Sequence, residues 1–135
     1  MRPLHSFLLV ACTAVFAGCP APVPPELSAI EQRIFAPSCT FSSCHSVQGH
    51  AGQLVLVPGR SFGDLVGKPC ARSEAQARGL LRVAPGDLLR SFLFTKLQDP
   101  LDPALGDRMP LHGAPLEESE RAAIAEWIRL GALDN

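Results

Sequence analysis

The sequence predicts an all-α fold, a single small helical domain with long loops, and three segments carry this prediction. In residues 25–36, apolar side chains recur at the spacing of one helical face, and Pro37 is expected to end that helix. Residues 87–97 place leucines and phenylalanines on a second broad face. Residues 116–130 form a third amphipathic stretch, with glutamates in its first turn and Gly131 at its end.

The segments between these helices are less regular. Residues 53–57 are a short apolar run, compatible with a strand or an extended loop. Residues 61–66 are expected to form one or two helical turns, with Ser61 as the cap. Residues 99–113 carry too many prolines and glycines for a regular element, so a loop is expected there.

The N-terminus has the features of an export signal. Arg2 supplies a positive start, residues 7–17 are apolar but too few to span a bilayer, and small residues precede Cys19. Residues 1–18 are therefore predicted to be a signal peptide. Residues 16–19 further resemble a bacterial lipobox, which implies lipidation of Cys19; an unlipidated secreted protein is the alternative. In lipoproteins of this kind, an aspartate after the cysteine often retains the protein at the inner membrane. Pro20 occupies that position here, so the resemblance favours the periplasmic face of the outer membrane.

The mature chain is expected to consist of a tether and one domain. Residues 19–25 contain the lipidated cysteine and a proline-rich stretch that favours an extended, semi-rigid spacer. Residues 26–135 are long enough for one small domain. The formal net charge is −1 and there is no basic cluster, so no nucleic-acid partner is expected.

Two cysteines followed at once by a histidine form the most informative motif. Cys39 and Cys44 are separated by four residues, and His45 follows directly. The usual haem-attachment signature has two residues between its cysteines, so this spacing is a variant. Met109 is the one methionine left after N-terminal processing. A histidine and a methionine together are the axial ligand pair of c-type haems.

Short segments in the second half of the chain extend this pattern. They occur in a fixed order: Val83-Ala84-Pro85-Gly86-Asp87, Lys96-Leu97, Met109-Pro110, and Trp127-Ile128 followed by Gly131-Ala132. With the Cys-His motif, residues 27–133 resemble the small monohaem cytochrome c domains of bacteria.

This resemblance implies a domain built around one covalent haem c, with thioethers from Cys39 and Cys44 and axial ligation by His45 and Met109. It further implies a single-electron carrier that exchanges electrons with other redox proteins and is not an enzyme. A peroxidase-like reaction would require displacement of Met109.

Cys70 leaves the number of thioethers open. If Cys19 is acylated, three cysteines remain, an odd number in an oxidising compartment. Thioethers at both Cys39 and Cys44 would leave Cys70 unpaired. Alternatively, Cys44 alone attaches the haem, as in rarer cytochromes that lack the first cysteine, and Cys39 forms a disulfide with Cys70.

Several other residues are candidates for roles around the haem. His112 lies on the same loop as Met109 and is the alternative sixth ligand, whereas His50 reads as an exposed loop residue. Arg108, beside Met109, is the favoured partner for a haem propionate. Six other basic residues could contact the propionates or simply be solvated: Lys68, Arg72, Arg78, Arg82, Arg90 and Lys96. Trp127 is the candidate aromatic at a haem edge, or else an ordinary core tryptophan.

The principal alternative is a haem-free lipoprotein. In that case, one disulfide among Cys39, Cys44 and Cys70 would staple a small binding or structural module. The same cysteines with His45 could also chelate zinc, but their spacing lacks the usual paired knuckles.

Overall fold

A computed structural model describes residues 21–135. The predicted signal peptide and the lipidation site at Cys19 lie outside the described residues. Within residues 21–135, no helix is long and apolar enough to cross a membrane.

The described part of the chain is a mixture of short helices and loops. Helices make up 38 % of it and isolated β-bridges 6 %. The prediction of an all-α fold around a haem is therefore wrong in its fold class, although the long loops are present. The α-helical segments are α1 (Leu27–Ile30), α2 (Ala36–Ser38), α3 (Ser61–Leu65), α4 (Ser73–Ala77), α5 (Phe92–Thr95) and α6 (Glu118–Arg129).

The first helix does not end before Pro37. A π-helical segment, Glu31–Phe35, joins α1 to α2, and the N–H of Ala36 donates to the carbonyl of Glu31, five residues back. Proline has no N–H, and its ring crowds the preceding turn of an α-helix. The wider π turn just before Pro37 makes room for that ring, so the helix continues to Ser38.

The helix expected over residues 87–97 is reduced to α5. Backbone hydrogen bonds from Phe92 to Leu81 and from Leu93 to Arg82, at 2.8 and 2.9 Å, hold the start of this helix against a distant segment. Leu89, one of the leucines on the broad face predicted over residues 87–97, is 88 % exposed. Pairing with residues 81–82 thus outweighs the local helical spacing in the first half of this stretch.

The last helix matches its prediction closely. Helix α6 begins with a capping box, in which the Glu117 and Glu120 side chains each accept from the other residue's backbone N–H. Its inward face is buried as expected. The buried residues of this stripe are Leu116, Ala123, Ile124, Trp127 and Ile128.

The first and last helices pack together and form the main core. The N–H groups at the start of α1 are held by Asn135, whose side-chain and main-chain oxygens accept from Leu27 and Ser28 at 2.9 and 2.8 Å. The end of the predicted tether also lies against this core. Val23 packs on it, and the Arg33 side chain donates to the carbonyls of Ala21 and Pro22.

Ser61 does not cap α3. It is fully buried inside that helix, and its hydroxyl donates to the carboxylate of Glu31, which is 7 % exposed. A buried carboxylate needs such a partner, because desolvation without a hydrogen bond is costly. This bond fixes α3 against the π segment.

Candidate functional site

The Cys-His motif lies directly after the first helix. The N–H of Cys39 still donates to Phe35 at 2.8 Å, in the helical pattern, and the N–H of His45 then donates back to the carbonyl of Cys39 at 3.0 Å. Between these two residues, the N–H of Cys44 donates to the carbonyl of Phe41 at 2.8 Å and closes a turn. The four intervening residues are thus taken up in a folded loop that returns His45 to Cys39.

Gly49 packs tightly behind this loop. A Cβ atom there would lie 2.6 Å from the carbonyl oxygens of both Ser42 and Cys44. The Gly49 N–H donates to the Ser46 hydroxyl at 3.0 Å, and that buried hydroxyl donates in turn to Ser42 at 3.3 Å. Gly49 was not identified from the sequence. The signal that could have identified it is a glycine four residues after His45.

Two adjoining cavities open beside the motif, with volumes of about 240 and 380 Å³. The larger one falls within the roughly 300–1,000 Å³ typical of small-molecule and cofactor sites. The residues that line both cavities, and so lie where they meet, are Cys39, His45, Ala51, Met109 and Leu116. Cys44 lines the second cavity. The structure therefore brings together all four residues of the predicted haem site.

The first cavity is mostly apolar. Its apolar wall combines residues from both ends of the chain and the middle: Phe35, Leu54, Leu56, Leu65, Phe92, Leu93, Leu97, Leu116 and Ile124. Such a wall suits the apolar part of a ligand, since apolar surface gains free energy when it leaves water.

The thiol of Cys39 is held in its protonated form. Burial, together with the nearby Cys44 and Glu120, raises its pKa to about 12. Since the thiolate is the reactive form of cysteine, Cys39 is a weak nucleophile at neutral pH.

His45 has the protonation state that a metal ligand requires. Burial lowers its pKa below 6.5, so the ring is neutral at neutral pH. Its Nδ1 atom is buried and has no hydrogen-bond partner among residues 21–135. A buried polar atom left unpaired costs about 1–3 kcal/mol. A bound group that engages Nδ1 itself would offset that cost, whereas ligation through Nε2 would not. The fit to a ligand therefore rests on the neutral ring and on the position of His45 between the two cavities.

Met109 is presented by the loop predicted over residues 99–113, where the regular structure is a single 3₁₀ turn, Pro103–Leu105. Its N–H donates to the carbonyl of Lys96 at 2.8 Å, which ties the loop to the end of α5. The Arg108 guanidinium donates to the carbonyls of Met109 and Gly113, at 3.3 and 3.1 Å, and lines neither cavity. Arg108 therefore braces the loop and does not face a ligand in the cavities.

Three other candidates lie away from the cavities. His112 is exposed on the Met109 loop, and the exposed His50 has its Nδ1 atom 3.2 Å from the carbonyl of Gln48. Trp127 is 1 % exposed, and its indole N–H donates to Leu133 at 2.8 Å. None of the three lines either cavity. Trp127 is thus a core residue, and the position of Met109 favours it over His112 as a ligand.

The three described cysteines are unpaired thiols. Cys70 is buried in a small apolar cluster of its own with Ala75 and Leu105, whereas Cys39 packs on the main core. Both line the first cavity. Among the described residues, no three His, Cys, Asp or Glu side chains gather as a metal-binding group, so the zinc hypothesis gains no support.

Comparison of the chain with protein-family models, with curated proteins and with solved structures finds no match. The site is therefore interpreted from its own residues.

Proposed function

We propose that the chain is a single-electron carrier that holds one c-type haem, with thioether attachment through the Cys-His motif and axial ligation by His45 and Met109. The observation that carries this proposal is the position of His45 and Met109, far apart in sequence, where two adjoining cavities meet. Cys39 lies at the same junction, and Cys44 lines the second cavity.

The residues around the junction suit this role. Burial keeps the His45 imidazole neutral, which leaves a ring nitrogen free to ligate a metal. Met109 offers a thioether, which together with histidine is a ligand pair that raises the reduction potential of haem iron. The apolar wall would reduce the exposure of a bound haem to water, and such burial favours the reduced, less charged state.

Electron transfer follows better than catalysis from this ligand set. A bound haem would supply a one-electron iron couple, and if His45 and Met109 both held its iron, no position would be left for a substrate. Redox partner proteins are the expected donors and acceptors. The lipid anchor at Cys19 and a location at the periplasmic face of the outer membrane are part of the same proposal, and they rest on the sequence alone.

The first test is the reduced alkaline pyridine spectrum of protein made with a c-type maturation system. Loosely held haem is removed beforehand with acid acetone. Retained haem with the band position of two thioethers supports attachment through Cys39 and Cys44, and a shifted band indicates Cys44 alone. If all haem extracts, the proposal fails and the haem-free, disulfide-stapled lipoprotein replaces it.

Axial ligation is tested by a pair of variants on one loop. Met109→Ala should lose the low-spin visible spectrum of the oxidised wild-type protein, because one axial ligand is removed. His112→Ala is the matched control and should keep that spectrum, since His112 lies outside both cavities. The opposite result would assign the sixth position to His112.

A further inference from the structure

Three cationic residues line the otherwise apolar first cavity: Arg72, Arg82 and Lys96. Among the residues that the structure describes, none of the three has a carboxylate at ion-pair distance; the ion pairs there involve Arg78, Arg121 and Arg129. A positive charge beside an apolar cavity is usually matched by an anion. The cavity thus has a polarity that the proposed axial ligands do not explain.

Arg82 is engaged within the fold. Its guanidinium donates to the carbonyls of Asp64 and Gly52, at 2.8 and 3.2 Å. These bonds tie three segments of the cavity wall together, so Arg82 acts mainly as a brace.

Arg72 and Lys96 form a neighbouring pair with hydrogen-bonding capacity left over. Lys96 donates to the carbonyls of Leu105, at 3.1 Å, and Asp107, and its ammonium lies 5.7 Å from the centroid of the Phe92 ring. One of its three ammonium hydrogens therefore has no hydrogen-bond acceptor among the described residues. Arg72 makes one long bond, 3.4 Å to Ala104. Its guanidinium lies directly against Gly106, where a Cβ atom would come within 2.4 Å of a guanidinium nitrogen. The loop at residues 104–107 therefore positions both cations.

The electrostatics of this pair favour an anionic ligand. Neither Arg72 nor Lys96 has a carboxylate within ion-pair distance among the described residues. Arg72 is exposed and Lys96 is half-buried, so the pair lies where the cavity meets solvent. Two cations held side by side here would be stabilised by one or two carboxylates.

We propose that Arg72 and Lys96 bind the carboxylates of the ligand held at the junction of the two cavities, which makes their edge of the first cavity the propionate-binding end of the haem site. The inference rests on the proposed function and adds the orientation of an amphipathic ligand. Its apolar body would lie on the leucine-rich wall, and its carboxylates would lie at the loop of residues 104–107.

The test compares haem with its dimethyl ester, in which both carboxylates are neutral, as ligands of the full chain made without maturation. The wild-type chain should bind haem about tenfold or more tightly than the ester. The Arg72→Gln/Lys96→Gln variant should lose this preference. The control Lys68→Gln/Arg90→Gln removes the same charge away from both cavities and should keep it. Equal wild-type affinities for the two porphyrins overturn the inference.

If the unmatured chain binds neither porphyrin, the matured protein decides. The propionate bending band in its resonance Raman spectrum follows hydrogen bonding to the propionates, and it should shift in Arg72→Gln/Lys96→Gln but not in the control. An unchanged band refutes the carboxylate contact while leaving the electron-carrier proposal intact. A matured protein with no covalent haem refutes the proposed function, and this inference falls with it.

Discussion

The substitution Gly49→Ala tests whether close packing behind the Cys-His loop holds Cys44 and His45 in position beside the cavities. The new methyl group would lie 2.6 Å from two carbonyl oxygens, those of Ser42 and Cys44, and 2.8 Å from the Cys44 nitrogen. Real Cβ atoms essentially never come closer than 3.0 Å, so the oxygens must move by about 0.4 Å or more, and by about 0.8 Å to reach ordinary contact at 3.4 Å. All three atoms belong to the backbone and cannot turn away as a side chain could.

The cost of this clash follows from the bonds that hold the loop. The Cys44 carbonyl accepts from Ala51 at 3.0 Å, and the Gly49 N–H is fixed on Ser46. Overpacking of a well-packed site costs about 1–3 kcal/mol. We expect Gly49→Ala to lower the free energy of unfolding of the haem-free protein by that amount, measured by urea denaturation. The yield of covalent haem after maturation should fall as well, because the loop that carries Cys44 has moved.

Gly63→Ala is the matched control. Gly63 lies inside α3 with no atom within 4 Å of an added Cβ, and its backbone is not left-handed. Alanine there should stabilise the protein by about 0.5–1 kcal/mol, since glycine is unfavourable in a helix interior. If Gly49→Ala unfolds at the wild-type urea concentration and attaches haem with the wild-type yield, the packing argument is refuted.

Two further predictions concern titrating groups. In the haem-free protein at about pH 8, iodoacetamide should modify Cys39 at least tenfold more slowly than an unstructured cysteine peptide, because its pKa of about 12 keeps the thiol protonated; peptide mapping that finds equal rates contradicts this. Hydrogen bonds from Arg78, at 2.7 Å, and from the Ala104 N–H lower the pKa of Asp102. Its contribution to stability is therefore present above the ordinary value of 3.8 and is lost as the pH falls through the lowered value. Asp102→Asn should lower Tm at about pH 7 but converge with wild type in acid. Asp134→Asn is the control and should leave Tm at about pH 7 unchanged, since the exposed Asp134 forms no ion pair among the described residues.

The sequence predicts those elements whose structure depends on neighbours along the chain. Helix α6 has both its apolar stripe and its capping box within one stretch, so its existence and buried face could be inferred. The helix predicted around Leu89 was wrong, because backbone hydrogen bonds of Leu81 with Arg90 and Phe92 determine the conformation of this stretch. Hydrogen bonds between residues about ten positions apart produce no periodic pattern in the sequence. The all-α prediction failed for the same reason.

The candidate site shows the same division. Cys39, Cys44 and His45 are visible as a local motif, and Met109 is visible through its rarity. The cavities are not, since their walls come from segments between residues 35 and 124. Arg108 seemed a good ligand partner by its place beside Met109. Its hydrogen bonds, instead, turn it toward the loop backbone, and only tertiary structure brings Arg72 and Lys96 together.

The π segment at Glu31–Phe35 sets the angle at which the first helix delivers its cysteine. One extra residue in a helical turn rotates everything after it by roughly 100° relative to an unbroken α-helix, given 3.6 residues per turn. Cys39 comes four residues after this segment and still donates to Phe35 in helical register. A chain shortened by one residue within the π segment would carry an intact Cys-His motif, with its first thiol turned away from the cavity. Helical phase, counted from α1, is therefore as much a part of the motif as its cysteines.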